Sequence, residues 1–93
     1  MGPELYKLRV TDEVGHFLRA LHPELKRKIK AASKIIISTP DAGKALRDDL
    51  AGLRSFRVNR FRIIYRVRGL TIELVAVGPR EGIYEETYRL IKK

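Results

Sequence analysis

Arg54-Ser55-Phe56-Arg57-Val58-Asn59-Arg60-Phe61-Arg62-Ile63-Ile64-Tyr65-Arg66-Val67-Arg68 carries six arginines and no acid. Apolar residues and cations alternate along it with the two-residue period of a β-strand. Phe56 and Val58 fall on one face, Ser55 and Arg57 on the other. In the second run Phe61, Ile63, Tyr65 and Val67 share a face, and Arg60, Arg62, Ile64, Arg66 and Arg68 share the opposite one. Asn59-Arg60 separates the runs and reads as a tight turn, because Asn tolerates positive φ. The stretch is therefore a hairpin with an apolar wall and a cationic wall. Like charges side by side repel, so a sheet that carries them is expected to meet a polyanion.

On the C-terminal side, Gly69-Leu70 turns the chain into Thr71 to Val77, a β-branched apolar run that reads as a well-buried central strand. Gly78-Pro79 ends it. Glu81 to Lys93 reads as a helix, with Ile83, Tyr84, Thr87, Tyr88, Leu90 and Ile91 in a broad stripe. On the N-terminal side, Leu5 to Val10 reads as a strand, and Thr11 or Asp12 as the cap of a first helix. Val14, Phe17, Leu18 and Leu21 form the apolar stripe of that helix. His22-Pro23 breaks it, and Pro23 is suited to the first position of a second helix. There Leu25, Ile29, Ala32 and Ile36 form the buried row, with Lys26, Arg27, Lys30 and Lys34 off it. Thr39-Pro40 stops the second helix. Pro40 to Gly52 reads as a connection in which Ala45, Leu46 and Leu50 form a short helical turn. The pattern predicts one domain over residues 1–93, an α+β fold of order β-α-α-β-β-β-α. A helical hairpin and a C-terminal helix are expected on one face of a small, mainly antiparallel sheet, leaving the arginine face open.

At 93 residues the chain has room for one modest core. A hydrophobic fraction of 44% excludes a disordered class. Its formal charge is +9 and its pI about 10.3, which points to nucleic acid, an anionic surface or an acidic protein as partner. No apolar run approaches the roughly 20 residues of a membrane span. The N-terminal M-G-P-E-L-Y-K lacks a signal-peptide core, so a cytoplasmic location and no membrane partner are expected. With no cysteine, disulfides and thiol chemistry are excluded, and His16 and His22 have no ligand-rich cluster near them. Neither metal nor other cofactor is expected.

Arginine outnumbers lysine 12 to 8, which favours planar, bidentate contact with phosphate. Such contacts release counterions and make binding salt dependent. Arg54, Arg60 and Arg66, with Lys26 and Lys30 of the second helix, are the expected RNA contacts. Arg80 follows the buried strand, and Tyr84 comes four residues later. On a regular helix starting near Glu81 the two stand one turn apart, able to reach a scissile phosphate and an adjacent base or ribose. Plainer readings stand beside these: a solvated arginine face, a packing role for Tyr84, an ion pair from Arg80 to Glu81 or Glu85.

Leu50 to Val67, L-A-G-L-R-S-F-R-V-N-R-F-R-I-I-Y-R-V, resembles a signature of the RelE/ParE superfamily of toxins from toxin–antitoxin pairs. Val75 to Tyr84, V-A-V-G-P-R-E-G-I-Y, resembles the ending of that family. Ser38-Thr39-Pro40 and Gly43-Lys44 are similar to its link after the helical hairpin. The resemblance spans nearly the whole chain. It implies a RelE-like fold and, in the RelE branch, metal-independent cleavage of messenger RNA on the ribosome. It also implies a cognate RelB-like antitoxin, with oligomers built through it. By the same resemblance Arg57, Arg62, Arg80 and Tyr84 are the expected catalytic residues. Ser55 departs from the pattern, standing where some RelE nucleases carry a second basic residue. ParE-type members share the scaffold and inhibit DNA gyrase without cleaving anything. A non-catalytic nucleic-acid-binding module is the remaining alternative.

Overall fold

The computed structural model describes residues 6–92. The predicted strand start at Leu5 and helix end at Lys93 lie outside them. The chain runs β1 (Lys7–Val10), α1 (Asp12–Arg19), α2 (Pro23–Ser38), β2 (Lys44–Ala45), a 3₁₀ turn (Asp48–Leu50), β3 (Arg54–Val58), β4 (Phe61–Arg68), β5 (Thr71–Pro79) and α3 (Arg80–Ile91). The strands form one five-stranded sheet in the order β1-β5-β4-β3-β2. β1 pairs with β5 in parallel, and every other neighbour is antiparallel.

Local chemistry sets most boundaries. The Thr11 side chain accepts from the Val14 N–H and caps α1. His22 does the same for α2 through Nδ1, 3.1 Å from the Glu24 nitrogen, and Pro23 follows at the first helical position. Asn59 has φ +57° in the β3–β4 turn, with Val58 facing Phe61 across it. Two expectations for the connection after α2 are corrected. Lys44–Ala45 is a short edge strand on β3, because the loop is tied down there by side chains and has backbone free to pair. The helical turn covers only Asp48–Leu50, so Ala45 and Leu46 precede it. No helix among the described residues is long and apolar enough to cross a membrane.

The larger correction concerns the layers: the sheet is covered on both faces. Val14, Ile29, Ala32 and Ile36 of α1 and α2 pack on Val58, Ile63, Tyr65, Ile72, Leu74 and Val77. Phe17 meets Phe61 there with ring centroids 6.0 Å apart. Ile83 of α3 packs on Leu53, Ile64, Val75 and Ala76 of the other face. The physical reason is the composition of β5. Leu74 to Val77 are all buried, and a strand apolar on both sides needs cover on both sides. A β-bulge completes the arrangement. Ile64 opposes Ala76 and Tyr65 opposes Leu74, so Val75 is an extra residue. Val75 and Ala76 thereby both join the cluster beneath α3.

Tyr65 is the pin of the β2 side. It is fully buried, donates to the Pro40 carbonyl at 2.7 Å and accepts from the Gly43 N–H at 2.8 Å. A side chain at Gly43 would meet the Tyr65 hydroxyl at 2.7 Å, so only glycine permits this approach.

Candidate nucleic-acid interface

The arginine face is closed over its middle by α3 and open at the β3–β4 turn. Arg57 and Arg62 are cross-strand partners on this face, and Gly78 lies beyond Arg62 on β5. Glycine leaves no side chain between the arginines and the start of α3. Arg80 is brought over by a backbone bond, its N–H donating to the Arg60 carbonyl at 2.9 Å. Arg57, Arg60, Arg62 and Arg80, with Asn59 and Glu81, line one shallow depression of about 310 Å³. Among the described residues no carboxylate ion-pairs with any of these four arginines. The expected alternative partner Glu85 instead faces Arg89 at 3.8 Å. Four guanidinium groups without an ion-pair partner, one of them (Arg62) donating to the Phe61 carbonyl at 3.4 Å, outnumber the single carboxylate of Glu81 around this concavity, which suits it to an anion.

Tyr84 is not among the residues that line this depression. Its hydroxyl lies 3.0 Å from Ser55 Oγ, and its ring packs on the α3-side cluster. Ser55 and Arg57 are two residues apart on one face of β3, about 7 Å along the strand. The expected spacing of Arg80 and Tyr84 on a regular helix is corrected. Glu81 (ψ 118°) and Gly82 (φ +90°) are non-helical, so α3 turns away after Arg80 and winds regularly only beyond Gly82. Gly82 takes a positive φ that other residues resist. The two side chains therefore leave from separate pieces of backbone.

Other expected RNA contacts are not gathered here. Arg54 points to the other side of β3 and donates to the Gly43 carbonyl at 2.6 Å, bracing the loop that Tyr65 pins. Arg66 donates to Glu73 at 2.7 Å, and Arg9 approaches the same carboxylate at 3.8 Å. Glu73 is on the neighbouring strand, a proximity no hairpin pattern displays. Lys26 and Lys30 are exposed on α2, across the sheet from the arginine depression, beside an apolar groove with Leu8, Val10 and Leu18. The sequence marked Ser55 only as the place of a missing basic residue; its hydroxyl is the polar partner of Tyr84, and its place on the arginine face was the available signal. Among the described residues no group of three His, Asp or Glu side chains is disposed to hold a metal.

Comparison with known proteins agrees with this architecture. The chain is similar to the toxin in the RelBE2 toxin–antitoxin complex of Mycobacterium tuberculosis, with 28% identity, TM-score 0.74, and coverage of 81% of this chain and 98% of that one. It also resembles a free Escherichia coli RelE toxin bearing two arginine-to-alanine substitutions, at 19% identity and TM-score 0.77 over 95% of this chain and 96% of that one. The third likeness is to the archaeal RelE–RelB complex of Pyrococcus horikoshii OT3, at 21% identity and TM-score 0.68 over 83% of this chain and 97% of that one. No curated protein matches the chain. Residues 6–84 match the family described as the ParE toxin of the type II toxin–antitoxin system parDE. With the fold of the RelE toxins and a family match over most of its length, the chain belongs to the ParE toxin family of the RelE/ParE superfamily.

Proposed function

We propose that this toxin is a ribosome-dependent endoribonuclease that cleaves messenger RNA and is silenced by a cognate RelB-like antitoxin. The observation that carries the reading is the depression lined by four arginines, none of which has a carboxylate partner among the described residues. RNA cleavage can use the ribose 2′-hydroxyl as an internal nucleophile. That oxygen must be held in line with the leaving 5′-oxygen and pass its proton to solvent water as it bonds to the phosphorus of a phosphate gaining negative charge; the P–O5′ bond breaks to leave a 2′,3′-cyclic phosphate, and the 5′-oxygen takes up a proton from water. Arg57, Arg62 and Arg80 supply the charge term. Loss of one such donor typically costs about 2.7–4 kcal/mol of barrier. Arg60 holds a flanking phosphate, and Tyr84 orients the nucleotide beside the scissile bond. Lys26 and Lys30 lie on the opposite side and would serve a separate ribosomal RNA contact. The antitoxin partner is supported by family membership and by the RelBE2 and RelE–RelB complexes among similar structures.

The test is incubation with programmed ribosomes and mapping of message cleavage. Arg80→Ala should lower cleavage by about 10²–10³-fold while the protein stays folded, the scale for removing one charge-stabilising donor. Equal cleavage by wild type and Arg80→Ala would remove the arginine depression as the active site. The second reading, inhibition of DNA gyrase, is favoured by the parDE description of the matching family. Supercoiling inhibition by a wild type that leaves ribosome-bound message intact would establish it instead.

A further inference from the structure

We infer that Ser55 is a positioning residue for Tyr84, fixing the phenol against β3, the strand that carries Arg57 of the arginine depression. Ser55 is 7% exposed, and its Oγ lies 3.0 Å from the Tyr84 hydroxyl. The surroundings on this half of the face are apolar: Leu53, Ile64, Val75, Ala76 and Ile83. A buried serine among such side chains needs a partner, and a tyrosine placed only for packing brings a hydroxyl that needs one too. Each group satisfies the other. Among the described residues theirs is the one side-chain hydrogen bond joining α3 to the sheet.

The backbone explains why such a tie is useful. The Glu81–Gly82 link interrupts α3 just after Arg80, so the backbone at Arg80 does not dictate where the Tyr84 ring stands. Ser55 belongs to β3, two residues before Arg57 on the same face. The bond therefore registers the ring against the strand that carries an arginine of the site. Ser55 then serves the proposed cleavage reaction, on which this role rests, by holding Tyr84 in the orientation the nucleotide meets. The position that carries a cation in some relatives works here through a neutral hydroxyl.

The test is a double-mutant cycle of Ser55→Ala and Tyr84→Phe, with Ser55→Thr as the conservative variant. All are read by single-turnover cleavage on programmed ribosomes after melting has established folding. Ser55→Ala should lower the cleavage rate by about 3- to 10-fold, the weight of one neutral hydrogen bond, with half-saturation little changed because the arginines still hold the phosphates. Ser55→Thr should restore most of it. In the Tyr84→Phe background Ser55→Ala should lower the rate no further. Independent, multiplicative losses, or a silent Ser55→Ala beside a defective Tyr84→Phe, would overturn the assignment. If wild type cleaves no message, the nuclease reading fails, and the same cycle is read in the affinity of the free protein for a single-stranded RNA oligonucleotide. Non-additive losses there support the anchoring of Tyr84, and additive ones overturn it.

Discussion

At Tyr65 a single hydroxyl closes two backbone valences, the Pro40 carbonyl and the Gly43 N–H. Burial holds this phenol above its ordinary 10.0; the Gly43 hydrogen bond and the Arg54 charge oppose that rise, and Asp41 adds to it. The unfolded chain therefore releases the Tyr65 proton first. This contribution to stability is fully present below the unfolded value of about 10 and is lost as pH rises through the folded value. Tyr65→Phe should cost about 1–3 kcal/mol at neutral pH by stranding the Gly43 N–H and Pro40 carbonyl. Its denaturant midpoint should then fall less steeply than that of wild type above pH ~10. Parallel pH profiles for the two proteins would contradict the assignment. That Tyr65 faces the core was legible from its alternation with Arg66. Its partners were not, because they lie 22 and 25 residues away along the chain.

Among the elements, α3 diverges most from what its periodicity implies. Its stripe reads as one helix from Glu81, yet Gly82 at φ +90° separates Arg80 from the regular turns. Nothing lies within 4 Å of the position a Gly82 Cβ would occupy, so a substitution there tests conformation and not packing. Gly82→Ala should destabilise the fold by about 1–2 kcal/mol, through the strain of a left-handed backbone. Each kcal/mol corresponds to a melting shift of roughly 4–8 °C for a domain of this size. An unchanged melting temperature would mean that α3 can start as a regular helix. The hairpin of β3 and β4 obeys its pattern, because both faces of the register are enforced: an apolar row on one side and cations with Ser55 and Ile64 on the other. The two residues of β2 offered no pattern to read; they pair because β3 has an open edge beside them.

For the whole molecule, the decisive quantity is how the +9 charge is distributed. One cluster of cations surrounds the depression at the β3–β4 turn, and Lys26 and Lys30 lie on α2 across the sheet. Apart from both, beside Leu90 and Ile91, Glu73 engages Arg66 and faces Arg9. The hairpin arginines are thus not equivalent. Arg57→Ala with Arg62→Ala should weaken binding to single-stranded RNA and lower the salt slope by about 0.7 for each phosphate no longer neutralised. Arg66→Ala should leave that slope nearly unchanged and reduce stability instead, by leaving the largely buried Glu73 carboxylate without its 2.7 Å partner. Equal effects of the two changes on the salt slope would show that the hairpin acts as one undivided cationic wall.

Sequence by itself determined a cap for α1 at Thr11 or Asp12, the break at His22-Pro23 that opens α2, the turn at Asn59, and the division of the hairpin into an apolar and a cationic face. These are local matters, set by side chains that bond to nearby backbone and by a period of two along a strand. It also carried the motifs of the toxin superfamily. Tertiary structure alone decided which arginines remain free, because Glu73 reaches Arg66 only once β4 and β5 pair. It decided that α3 covers the arginine face, because β5 is apolar on both sides and a bulge at Val75 turns two successive side chains beneath that helix. Tertiary structure also joined Ser55 to Tyr84, 29 residues apart, and brought Arg80 to the arginine depression through its backbone bond to Arg60. Alternation assigns a side chain to a face, but which neighbour it meets there depends on strand order and helix placement, which are properties of the folded whole.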